Sequence, residues 1–272
     1  MSELKETREE WLTQVVNLQN DHSKEQLAKD VANYHQLKWG CVLSSASYLP
    51  RYRGLKSFFV ENDIHGLKQH FYVACKLLIA CQKEAETCDF PFSGYEPFLY
   101  GLLSDSPEIF DWLIHAELKD KDDVKTPHFH WHQFQLVLRR DDDALRETIA
   151  LVAKKGRKHD KALAQAGQDF FSLLLKQDNE GLQALIENQA KIKSVHELEG
   201  QFLAGFAVVH AKLCWYRGIE VQIQNPLVSM ALLPVEPLDS YDVEYDFLRP
   251  EWTPPPPPGL LSKFKRLLSR KE

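Results

Sequence analysis

The chain has 272 residues, of which 44% are apolar and 26% charged, with a formal net charge of −6. This is close to the average for a globular protein and excludes a wholly disordered chain, a collagen-like repeat and a disulfide mini-protein. The length suits one large domain or two small ones. Its five cysteines (Cys41, Cys75, Cys81, Cys88, Cys214) are scattered and odd in number, as expected of reduced thiols rather than a disulfide framework.

No apolar run follows the opening Met-Ser-Glu-Leu-Lys-Glu-Thr-Arg-Glu-Glu, so no secretory signal is expected and the chain is read as cytoplasmic. Ser23-Lys24-Glu25-Gln26 has the capping-box pattern, and Leu27, Val31, Tyr34, Leu37 and Cys41 follow at helical steps. A helix starting at Ser23 is therefore predicted. Ser106-Pro107-Glu108 and Thr126-Pro127 predict two more helix starts, each a hydroxyl cap followed by proline.

Four times an apolar helical stretch runs into a turn holding an Asp, with an aliphatic residue four positions on. The pairs are Asp63 with Leu67, Asp105 with Ile109, Asp141 with Leu145, and Asp178 with Leu182, and the aspartates lie 42, 36 and 37 residues apart. Such a period predicts an all-α fold of stacked helical hairpins, a repeat-like bundle or solenoid. Each Asp is expected to cap the next helix and to oppose its dipole.

Phe202 to Tyr216 is the most apolar long window, but His210 and Lys212 interrupt it and it falls short of the roughly 20 residues a membrane span needs. Beyond Gly218 the texture changes. Gly218 to Ile223 alternates as a strand would, with no second strand evident, so an extended segment is expected. The stretch from Asn225-Pro226 to Pro250 holds four prolines and should wrap across the helical body, anchored by Leu232, Leu233, Leu238, Phe247 and Leu248. Pro254 to Pro258 reads as a stiff spacer. The expected organisation is one helical domain over 1–252, a polyproline spacer over 253–259 and a basic amphipathic tail over 260–272. In that tail Leu260, Leu261, Phe264, Leu267 and Leu268 form one stripe, suited to an anionic membrane, a partner's groove or the chain's own acidic body.

His128, His130 and His132 form the most conspicuous chemical cluster. In the helix that Thr126-Pro127 predicts, His128 and His132 stand one turn apart and His130 points elsewhere. A metal would need a further ligand such as Glu117 or Asp120, and the general base of a His-Glu-x-x-His pair is absent. Packing beside Phe129, Trp131 and Phe134 is the expected role. Cys75, Cys81 and Cys88 read as buried thiols. There is no Gly-rich phosphate loop and no Gly-x-Ser-x-Gly turn. Neither a catalytic residue, a metal nor a cofactor is expected, and the chain is read as a non-enzyme.

The charge is sharply distributed. Residues 260–272 sum to +4, whereas 104–123 and 233–252 sum to −5 each. Such patches repel nucleic acid and speed encounter with a basic protein. Asp120, Asp122, Asp123, Asp239, Asp242, Glu244 and Asp246 are accordingly the candidate partner-binding residues.

The C-terminal part carries a family resemblance. A helix ending Leu213-Cys214-Trp215-Tyr216-Arg217-Gly218 leads to Asn225-Pro226-Leu227-Val228-Ser229-Met230-Ala231-Leu232-Leu233-Pro234, then to Tyr241-Asp242-Val243-Glu244-Tyr245-Asp246-Phe247-Leu248. These segments, with the helical texture over 30–217, resemble the immunity protein 49 family of bacterial polymorphic-toxin systems. The resemblance implies an all-helical cytoplasmic protein that binds and neutralises a cognate toxin by direct contact, and it carries over no catalytic or toxin-binding residues. A secreted nuclease effector, with its basic groove, is the toxin whose charge suits the acidic segments. The competing expectations are a helical-repeat adaptor without a toxin partner and a metal-dependent enzyme using His128, His130 and His132.

Overall fold

Local capping chemistry sets where half of the twelve described α-helices begin. A computed structural model of the protein describes residues 7–84, 95–192 and 197–257. The expected tail, Pro258 and Cys88 lie outside the described residues. The first half holds α1 (Arg8–Ala32), α2 (Trp39–Ala46), α3 (Tyr48–Phe59), α4 (Ile64–Lys83), α5 (Glu96–Ser104) and α6 (Pro107–His115). The second holds α7 (Pro127–Arg139), α8 (Asp142–Lys155), α9 (Lys158–Ala166), α10 (Phe170–Lys176), α11 (Asn179–Gln189) and α12 (Gly205–Tyr216), and no strand forms among the described residues. The all-α expectation holds.

Successive helices pack on one another as hairpins, α3 on α4, α5 on α6, α7 on α8 and α10 on α11. At three of these turns a residue in the left-handed region precedes a capping aspartate. Asn62, Arg140 and Gln177 have φ of 56°, 58° and 54°. Next to them Asp63, Asp141 and Asp178 accept hydrogen bonds from the N–H of Gly66, Ala144 and Gly181 at 2.9, 3.1 and 2.9 Å. Gly66 is required by this cap, because a Cβ there would lie 2.4 Å from the Asp63 carboxylate. The fourth turn is one residue out of phase. Asp105 is itself the left-handed residue, at φ 55°, and Ser106 takes the cap position without a side-chain bond. The expectation that Asp105 caps α6 is therefore corrected: its carboxylate is turned inward, onto two lysines described below.

A second correction concerns the first helix. It starts not at Ser23 but at Arg8, where Thr7 and Glu10 form the capping box, and it runs through Ser23 to Ala32. Neither glycine nor proline occurs between Arg8 and Asn33 to stop it, and Leu12 and Val16 bury the first half. A capping-box sequence inside such a helix is only helix surface. Thr126, by contrast, caps α7 as expected, accepting from the N–H of Phe129 at 3.3 Å.

Helix α12 is apolar on nearly every side and is buried from Ala207 to Cys214, packing against α5, α7 and α11. A helix apolar all round belongs in a core. No helix among the described residues is long and apolar enough to cross a membrane.

The segment after α12 crosses the body as an extended strap. Val221 and Ile223 are buried while Glu220, Gln222 and Gln224 face out, so the strand-like alternation is real. A helix stands where a second strand would: Gln183 and Glu187 of α11, one turn apart, accept from the backbone N–H groups of Gln222 and Gln224. Of the expected anchors, Leu232 and Leu233 are buried, and Phe247 and Leu248 pack on the core. Tyr241, Val243 and Tyr245 pack there too. Trp252 and Pro255 also touch the helical body. Trp252 stacks on Trp39 at 6.3 Å, and the Pro255 carbonyl lies 2.7 Å from His35 Nε2.

Candidate functional site

The two acidic segments are more than a hundred residues apart in sequence, yet both are held by side chains of α4. At its start, Gln69 bonds both the N–H and the C=O of Asp242, at 3.1 and 2.6 Å. A turn further, Tyr72 and Lys76 hold the Glu108 carboxylate at 2.7 and 2.5 Å. Near its end, Gln82 donates to the Glu117 carbonyl at 3.3 Å. Thirteen residues at 1.5 Å each separate Gln69 from Gln82, so the acidic ridge spans about 20 Å. Lys76 and Tyr72 hold the Glu108 carboxyl below its ordinary range, against the opposing effect of burial.

Asp120, Asp122 and Asp123 are exposed in the loop beyond Glu117. Asp120 sits at φ 52°, and Asp123 accepts from the Lys125 N–H at 3.0 Å, so this loop is a structured turn. Asp239, Asp242 and Asp246 are exposed on the strap, the last two at 3.8 and 3.4 Å from Arg249. Glu244 differs. It reaches back to Arg53 of α3 at 2.6 Å, with a side chain only 29% exposed and φ 60°, so it pins the strap. The seven candidates thus fall into two groups toward the ends of α4, and Glu244 has a structural partner.

Beneath the ridge lies a latch that sequence reasoning missed. The Asp105 carboxylate, fully buried, is 3.0 Å from Lys68 Nζ of α4 and 2.7 Å from Lys212 Nζ of α12. Both ammonium groups are buried as well, and they spend their remaining donors on the strap. Lys212 donates to the carbonyls of Leu232 and Pro234 at 3.0 and 2.7 Å, and Lys68 to that of Glu236. The N–H of Glu236 returns to Asp105 at 3.2 Å, and Tyr241 donates to the Ser104 carbonyl at 2.7 Å. Burial pulls the Lys212 pKa down while Asp105 pulls it up. The strap is therefore fastened by charge-assisted bonds in a dry environment.

The histidine cluster resolves as helical geometry dictates. His130 turns into an aromatic cluster, within 4.6 to 6.0 Å of the Phe134, Phe171, Phe206 and His210 rings. His132 lies 3.5 Å from Gln135, on another side of α7. No three metal-ligating side chains converge among the described residues. Burial pushes the His130 pKa down to about 4 and that of His210 well below its ordinary value. Both rings are therefore neutral at pH 7.

His130, Phe171, Phe206 and His210 line a cleft of about 590 Å³ to which α7 to α12 all contribute, within the usual size range of a small-molecule pocket. His210 stacks on Phe170 at 3.8 Å with its plane inclined 10°, and its Nδ1 lies 2.7 Å from Gln189 Oε1. That oxygen only accepts, so Nδ1 carries the proton and Nε2 presents a lone pair. Neither His210 Nε2 nor Trp131 Nε1 has a hydrogen-bond partner, although both are buried. Each such orphan costs about 1–3 kcal/mol. In the sequence, the only signal for this site at α12 is a polar residue inside an apolar helix.

Ridge, latch and cleft define an all-helical protein of stacked hairpins closed by a C-terminal strap. No protein-family model, curated protein or solved structure matches the chain.

Proposed function

We propose that this protein is an immunity protein which binds a cognate bacterial toxin with a basic surface and neutralises it by direct contact. The observation that carries the reading is the gathering of both acidic segments along α4. A ridge of about 20 Å fits inside one interface of standard size, about 800 Å² per partner. Exposed carboxylates in rows present to a cationic groove the charge that a nucleic-acid backbone would present, which raises the encounter rate and fixes orientation. The latch and the Arg53–Glu244 pair hold the strap in place before binding, which lowers the ordering cost of association.

The ridge is tested by the association rate with an inactivated form of the neighbouring gene's product. Asp239→Asn/Asp242→Asn/Asp246→Asn leaves Glu244 and the latch intact. The variant should associate about tenfold or more slowly at low ionic strength, and the two proteins should converge in about 0.5 M salt. Equal rates at low salt would overturn the assignment of the ridge.

A further inference from the structure

We infer that the cleft beneath Phe206 binds a small, uncharged, planar heteroaromatic molecule carrying one hydrogen-bond donor and one acceptor. Its walls are rings. Trp131 and His210 lie 5.7 and 6.0 Å from Phe206, and Phe170 and Phe171 complete the aromatic lining, with Phe134 behind Trp131 at 5.6 Å. A flat aromatic guest is what such walls pack well. Their two buried polar atoms are complementary to such a guest: Trp131 Nε1–H is a donor without an acceptor, and His210 Nε2 a lone pair without a donor. Both residues line the same cleft and pack on Phe206, so we assign the unused groups to one site.

Charge at the site sets the rest of the specificity. Of the charged residues of the cleft, Lys125, Arg157 and Asp160 are exposed, while the half-buried Asp169 spends its carboxylate on the N–H groups of Phe171 and Ser172 and on the Ser172 hydroxyl at the start of α10. An ion would lose its hydration there without a counter-charge, so the guest is neutral. Entry runs past Phe206. Its ring packs on Tyr95 at 5.0 Å and covers Trp131, His130 and His210, yet it is 40% exposed. Both unpartnered atoms are buried, so this one side chain must rotate for a guest to reach them. The site stands on different residues from the ridge and does not depend on it.

The probe we would use is 7-azaindole, which places an N–H donor beside a ring-nitrogen acceptor, with indole as the control that lacks the acceptor. The readout is the Trp131 indole N–H signal in a ¹⁵N correlation spectrum, assigned with Trp131→Phe. The signal should move downfield and saturate with 7-azaindole, and indole should bind about tenfold or more weakly. His210→Phe, which keeps the stack on Phe170, should weaken 7-azaindole by a similar factor. A Trp131 signal that stays in place at about 10 mM 7-azaindole, or equal affinities for the two probes, would overturn the inference. The comparison of probes on the native chain decides the matter even if His210→Phe does not fold.

Discussion

Replacing Asp105 with Asn should destabilise the protein by about 3–5 kcal/mol, the cost of removing one partner from a buried ion pair. Asparagine keeps the left-handed backbone at φ 55° accessible and still accepts from the Glu236 N–H, so the change isolates the charge. What it leaves is two buried ammonium groups, Lys68 and Lys212, with carbonyls but no anion. Against a total stability of roughly 5–15 kcal/mol the loss is large. It should appear as a lower urea midpoint and as faster proteolysis within 219–252, since both lysines hold the strap. Removing all three charges together, with Lys68→Met and Lys212→Met added, should recover much of the loss. A cost for Asp105→Asn below about 1 kcal/mol would mean that the latch does not fasten the strap.

Acid should destabilise the protein before the carboxylates titrate. His130 and His210 are held neutral by burial, with the His130 pKa near 4 against about 6.5 in an unfolded chain. Between those values the unfolded state binds protons that the folded state refuses. Stability is then fully present above pH 6.5 and declines as the pH falls toward 4. His130 alone accounts for about 3 kcal/mol of this decline. His210 adds a loss of the same sign, and its proximity to His130 makes a second charge there less favourable still. The pKa values of His70 and His132, both partly buried, shift in the same direction. Urea unfolding at several pH values should show this slope, and His130→Phe/His210→Phe should flatten it. A stability that is constant or rising from pH 7 to pH 5 would contradict the neutral pair.

The hairpin turns were legible in the sequence because capping is local chemistry: an aspartate, its helix and the N–H it accepts from lie within four residues. Asp63, Asp141 and Asp178 obey that logic. Asp105 does not, because its partners sit 37 residues before it and 107 after it, and no local pattern encodes them. The false start at Ser23 has the converse cause, a true local motif overruled by an uninterrupted helix anchored upstream at Leu12 and Val16. The strap followed from its prolines, while its aromatic anchors Tyr241 and Tyr245 are read only once α4 and α3 are in place. The acidic segments were visible as charge, but their meeting on α4 depends on Lys76 and on three uncharged side chains, Gln69, Tyr72 and Gln82, that no charge pattern marks. His210 and Lys212 were visible as interruptions of an apolar window. Polar side chains inside an all-apolar helix must find partners in the core. Lys212 finds Asp105, and His210 keeps one nitrogen for the cleft.

The most direct test of the account is co-expression with the product of the adjacent gene, scoring growth and co-elution on a sizing column. The account predicts that the neighbour alone arrests growth, that this chain restores it, and that the two elute together as a stoichiometric complex. A harmless neighbour, or a toxic one that this chain neither binds nor neutralises, would contradict it.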